Sequence, residues 1–318
     1  MFDIFSATGF LVHSPCGPRK SGMPESVEIP APVSATTRRA SAIQERTCAV
    51  FFVAMIHSNL RRVIEIATPL WAGEAEVVRT YWSSPQRNTD TDLLWLRRQC
   101  FKEFWGSGVT KFDKGGIVPG SLRKLADHAT DVDQKIDRHE FLDALEGVKA
   151  EFSHYTYFAD VYDAMRPKDT PRLHPRMLQE WPEEKELTAM RYRHREAHGA
   201  IGMRACKTSE GGYCTLFAEG MKLKGKPGVD GMIAEACSKV HDDEFGHMLA
   251  GITGIAEEGL SDADWKLLET LLVEQLEQRI RMRNAQFSYP LPEERVQAIY
   301  RGNIEPLAFD YERAQLAA

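Results

Sequence analysis

Two tetrapeptides in the chain place a carboxylate and an imidazole three residues apart: Glu151-Phe152-Ser153-His154 and Glu244-Phe245-Gly246-His247. Residues i and i+3 share one face of a helix, so each pair aims an oxygen and a nitrogen donor at the same point. Carboxylate oxygen with imidazole nitrogen suits a first-row transition metal. Two such helices facing one another can hold ions between them without bending the backbone. One Glu-x-x-His alone says little, because helices are rich in glutamate. The surroundings say more: Phe152, Tyr155, Phe158, Phe245, Met248 and Leu249 set both pairs among apolar side chains, where a carboxylate without a partner is costly.

The elements that must position these residues read as helices. No segment alternates with a period of two, and most long segments carry the helical period, so the expected class is all-α. Residues 1–38, punctuated by Pro15, Pro18, Pro24, Pro30 and Pro32, read as a disordered or irregular tail. The remainder, 39–318, reads as one helical domain. Helices are expected from Arg39 to Ala67, and from Asp90 to Trp105 with a cap in the Thr-Asp-Thr-Asp cluster. Gly106 to Gly120 reads as a loop and Ser121 to Ala129 as a short helix. Asp137 caps a long helix to about Met165, and Pro167, Pro171, Pro175 and Pro182 mark an irregular connection. Helix resumes from Glu183 to about Leu223, kinked at Gly199, Gly202 or Gly211-Gly212. After a turn at Lys226-Pro227-Gly228, helices follow from Val229 to Glu258 and from the Ser261 cap to about Phe287. The C-terminal stretch to Ala318 reads as partly helical.

An antiparallel hairpin turning at Pro227 puts Glu244 level with residue 210, which is Glu. Glu219 and Glu196 fall far out of level at about 1.5 Å rise per residue. Upstream of Glu151, the only glutamate between Glu76 and His139 is Glu103, in a helix with aromatic neighbours. Glu74, Glu76 and Asp127 remain alternatives to it.

Glu103, Glu151-x-x-His154, Glu210 and Glu244-x-x-His247 together resemble the ferritin-like dimetal-carboxylate superfamily. Its pattern is a Glu from each of two helices and a Glu-x-x-His from each of two others. The resemblance spans about Asp90 to Glu258. It implies a four-helix bundle with additional flanking helices, the C-terminal ones over 261–318. It further implies two iron ions, or manganese plus iron, about 3.5–4 Å apart. His154 and His247 would each bind one ion, Glu151 and Glu244 would be the carboxylates nearest them, and Glu103 and Glu210 the lone ligands.

His241 shares the helix face of Glu244. Arylamine N-oxygenases and haem-oxygenase-like diiron oxidases carry an extra histidine about one turn before the last acidic ligand, with a spacing of four rather than three. His241 is thus a seventh ligand, a hydrogen-bonding neighbour or an exposed residue. Tyr213 shares the face of Glu210 and is the candidate for a radical or proton-transfer role, against the alternative of an ordinary core tyrosine. In Arg193-His194-Arg195-Glu196-Ala197-His198, an i,i+4 histidine pair has metal-capable spacing, but Arg191, Arg193 and Arg195 favour a solvated face.

The resemblance implies an O₂-dependent oxidase or monooxygenase for a small organic substrate. Phe152, Phe158 and Phe245 are expected to line or support a dry pocket. Without a flavin, nicotinamide or Fe–S motif, electrons would come from an external donor. The alternatives are a radical-generating or ligand-binding relative of the ribonucleotide reductase small subunit, and a metal-free helical interaction protein. Composition narrows the partners. A net charge of −6 gives no basic excess for nucleic acid. The most apolar run, Cys48 to Ile56, is about half of what a bilayer needs. The six cysteines form no Cys-x-x-Cys pair, which argues against a zinc ribbon or rubredoxin-type site and for buried, reduced thiols. A cytoplasmic location is expected, and a homodimer is compatible with the pattern.

Overall fold

The computed structural model describes residues 58–106, 116–252, 255, 258–310 and 315–316; the side chains of 212–214, 242–243, 245–252, 310 and 315–316 lie outside that description. The tail expected over 1–38, and the start of the helix expected from Arg39, fall outside the described residues.

Helix α1 covers Ser58–Ser83 and passes through Pro69, beyond the end expected at Ala67. Proline removes the amide that would bond the Glu65 carbonyl. The Thr68 hydroxyl donates to that carbonyl instead, at 3.3 Å, and a buried face from Leu60 to Tyr81 holds both halves to the core. Helix α2, Thr89–Trp105, is capped by Asn88 rather than from within the acidic cluster, through a reciprocal box with Thr91. Helix α3, Ile117–His128, begins four residues before the expected Ser121. Pro119 sits in its first turn, where a missing amide costs nothing.

Helix α4, Arg138–Met165, starts where Asp137 accepts from the His139 and Glu140 amides. Helix α5, Pro182–Thr208, bends at Gly199, whose φ of 50° few side chains tolerate. Helix α6, Gly211–Met221, follows after a turn at Ser209-Glu210, so the kink expected in this stretch is a bend plus a break. Helix α7 is Val229–Ile252. Helix α8, Asp262–Gln286, opens on a Ser261–Asp264 capping box, and α9 is Glu293–Tyr300. The C-terminal stretch is partly helical, as expected, but the helix is confined to α9. Residues 301–308 are irregular, and Phe309–Asp310 (β1) pairs antiparallel with Gln315–Leu316 (β2). Apart from that pair the described residues are all-α, with no helix long and apolar enough to cross a membrane.

The helices pack in a definite order. Helix α2 lies on α4, α4 on α7, and α7 on α5 and α6, while α1 and α8 pack together and close over α6 and α5 respectively. An aromatic wedge locks α1, α2 and α8. Trp95 stacks on Phe287 at 5.3 Å, and Trp82 meets both rings edge-on; such pairs add about 0.5–1.5 kcal/mol each beyond area burial. Cys100, Cys206 and Cys237 are buried free thiols, as expected.

The α6–α7 hairpin owes its closeness to Gly220, where any added Cβ would strike the Cys237 sulfur. Gly220→Ala is therefore expected to destabilise the fold by about 1–3 kcal/mol through overpacking. Urea unfolding checks this, and a midpoint equal to wild type would refute the tight register.

Candidate metal centre

The packing order above brings three carboxylates and one imidazole together. Glu103 comes from the last turn of α2, Glu151 and His154 from the middle of α4, and Glu244 from α7. The His154 ring is 1% exposed. Its Nδ1 lies 3.6 Å from Glu103 Oε2, 4.0 Å from Glu151 Oε2 and 4.0 Å from Glu244 Oε1. Donor atoms of Glu103, Glu151 and His154 all lie within 4.8 Å of one another, and this group could hold a metal ion.

The spacing and the charge both fit an ion. Two donors each about 2.0–2.2 Å from one ion sit at most about 4.4 Å apart, and the three Nδ1–carboxylate distances fall inside that limit. Glu103 and Glu244 are buried. Carboxylates crowded into a buried site resist joint ionisation unless a cation stands among them. The remaining donor on Glu103 is already engaged: the Gln99 side-chain amide donates to Glu103 Oε1, which leaves Oε2 directed at His154.

Thiols beside the group are not ligands in waiting. Burial, with the Glu103 charge added, pushes the Cys100 and Cys237 thiols up, so both stay protonated where a metal requires thiolate. Burial likewise pushes the Tyr155 phenol up to about 12, which keeps it a neutral wall residue on α4.

The other residues singled out by sequence fall into different places. Glu210 is half-buried at the N-terminus of α6 and stands outside the Glu103–Glu151–His154 group. The Gly220–Cys237 contact sets the hairpin register so that Glu244 is level with residue 213, one turn beyond the expected 210, and Glu210 is level with His247. The expected level assumed a turn centred on Pro227, and the pivot lies slightly later. His241 is half-buried on α7. The side chains of His247, Phe245 and Tyr213 lie outside the described residues.

Of the alternatives to Glu103, Glu74 is buried in an ion pair with Arg279 and Arg283, Glu76 pairs with Arg295, and Asp127 is exposed. Two expectations are corrected. Phe152 is 48% exposed and lines no dry pocket, because it points away from the face that carries Glu151 and His154. The His194 segment is solvated on one side only: Arg193, Glu196 and Ala197 are exposed, but His194 and Arg191 are buried. His194 Nδ1 meets Gln275 Nε2 at 3.0 Å and its Nε2 meets Glu274 at 3.0 Å, while Arg191 is fully buried beside Ser209. The many arginines suggested solvent, but α8 covers that side. Gln99 was missed altogether; its only sequence signal is a glutamine one turn before Glu103.

The chain matches no known protein family, no curated protein and no solved structure.

Proposed function

We propose that the chain is an O₂-activating dimetal enzyme of the ferritin-like carboxylate type, an oxidase or monooxygenase for a small organic substrate. The observation that carries this reading is the convergence of Glu103, Glu151 and Glu244, from three helices, on the buried ring of His154. Glu103, Glu151 and His154 would hold one ion. Glu244 and His247 would hold the second, with Glu210 as its lone carboxylate and His241 as a neighbour one turn away. Two iron ions, or manganese plus iron, would supply the electron transfer to O₂ that no side chain here can perform.

The protein's own part is to bind, orient and exclude water. Phe158, one turn beyond His154 on α4, is fully buried between Trp95 and Phe217 at ring distances of 6.1 and 6.0 Å. That aromatic column keeps water from one side of the centre and strengthens every charge interaction inside it. Electrons to recharge the centre would come from a separate donor. The bundle topology expected of the superfamily belongs to the same proposal, in which α2, α4, α7 and the turn before α6 would supply the ligands.

Metal analysis after anaerobic Fe(II) loading, followed by exposure to O₂, tests the reading. The expected result is about two ions per chain and a transient visible band on oxygenation. An intact helical protein with no bound metal would overturn it and favour the metal-free interaction protein.

A further inference from the structure

The centre has a support that none of its ligand motifs announces. Behind Glu103 lies a run of fully buried polar side chains: Gln99 on α2, and Gln286, Arg283 and Arg279 on α8, with Glu74 on α1. Arg283 Nη1 donates to Gln286 Oε1. Gln286 Nε2 donates to Gln99 Oε1 at 2.8 Å, and Arg283 Nη1 reaches the same oxygen at 3.4 Å. Gln99 Nε2 then donates to Glu103 Oε1.

The direction of this chain is not arbitrary. Arginine can only donate, so the oxygens of both glutamines must face Arg283 and their NH₂ groups must face away from it. Every bond therefore points from the guanidinium towards Glu103. The far end is anchored as well. Glu74 accepts from Arg279 at 3.0 and 3.1 Å and from Arg283 at 3.3 Å. Glu74 thus ties both guanidinium groups of α8 to α1.

We infer that Gln99 is a positioning residue for the metal centre: the Arg283–Gln286–Gln99 chain clamps Glu103 by Oε1 and presents Oε2 alone as a single-oxygen ligand. This rests on the metal reading of the Glu103–Glu151–His154 group. A glutamate side chain has three rotatable bonds and can swing between one-oxygen and two-oxygen binding. The clamp removes that freedom, and it is paid in part by helices that supply no ligand. Outer residues that orient ligands typically govern metal affinity by about 10–100-fold.

Co(II) titration of the full chain, read by its visible ligand-field band and its dissociation constant, tests this without any turnover. Gln99→Met keeps the side-chain length and removes the donor. Expected are binding weakened by about 10–100-fold and a shifted band, because Glu103 becomes free to bind through both oxygens. A folded Gln99→Met protein with wild-type affinity and band would overturn the inference while leaving the metal reading intact. If Gln99→Met does not fold, Gln286→Met decides. It cuts the chain one link further out, and an unchanged band there would overturn the inference, whereas a shifted band with weaker binding supports it. Failure of the wild-type protein to bind Co(II) would instead remove the metal reading and the inference with it.

Discussion

His154→Ala is expected to weaken metal binding by more than the ~10–100-fold that loss of a supporting residue costs, and to lower the stoichiometry by one ion per chain. The reason is geometric. His154 is a side chain that all three carboxylates approach, at 3.6, 4.0 and 4.0 Å. Without it, Glu103 and Glu151, on different helices, lose the imidazole nitrogen that stands between them. His194→Ala is the matched control. It removes another buried histidine, whose partners are Gln275 and Glu274, and it should leave metal content unchanged. Metal analysis of both purified variants, with circular dichroism to confirm folding, is the measurement. Equal metal content in wild type and His154→Ala would sink the assignment of the centre.

The second large effect belongs to stability rather than chemistry. Glu74, Arg279 and Arg283 are each 0% exposed in their side chains. Glu74→Ala would remove the carboxylate that Arg279 and Arg283 share in the core, and breaking a buried ion pair on one side costs about 3–5 kcal/mol. At roughly 2–4 °C per kcal/mol for a domain of this order, the melting temperature should fall by about 10 °C. The double variant Glu74→Leu, Arg279→Met removes one charge of each sign and should recover part of the loss.

The same residue sets an acid limit. Burial alone would push the Glu74 carboxyl up, but Arg279 and Arg283 outweigh it and hold the group below the usual carboxylate range. A depressed folded-state value means the contribution is complete above about pH 4.3, the unfolded carboxylate value. It is lost as pH falls through the folded value. Wild type should therefore lose stability on acidification below about pH 4.3, and Glu74→Ala should show a flatter acid limb. Identical acid limbs in denaturation curves would refute the role given to this pair.

Much of this arrangement was legible in the chain, for identifiable reasons. Asp137 and Ser261 announced helix starts because capping is a local interaction. The Glu-x-x-His spacing placed Glu151 beside His154 because both sit on one helix. Glu103 was reached by elimination, and its choice over Glu74 depended on information no local window contains. The arginines that occupy Glu74 lie some two hundred residues later, on α8. Pro69 misled in the opposite way. Its local signal says stop, while a neighbouring hydroxyl and a buried face carry the helix through. Phe152 looked like a pocket residue because an apolar side chain beside a ligand does not reveal which way it faces. Gln99 was invisible because an amide becomes a clamp only once its partners on α8 arrive.

Helix α2 also fixes an order of events for the growing polypeptide. Lys102 bonds Glu184 on α5 at 2.9 Å, Arg87 links Asp92 to Asp230 on α7, and Gln99 waits for Arg283 and Gln286. The bonds to Glu184, Asp230, Arg283 and Gln286 join a residue made early to one made much later, so loop closure must precede those rewards. Lys102 and Gln99 therefore meet these partners only once α5 and α8 have been made, whereas Asp92 has Tyr81, Arg87 and Trp95 close by in sequence.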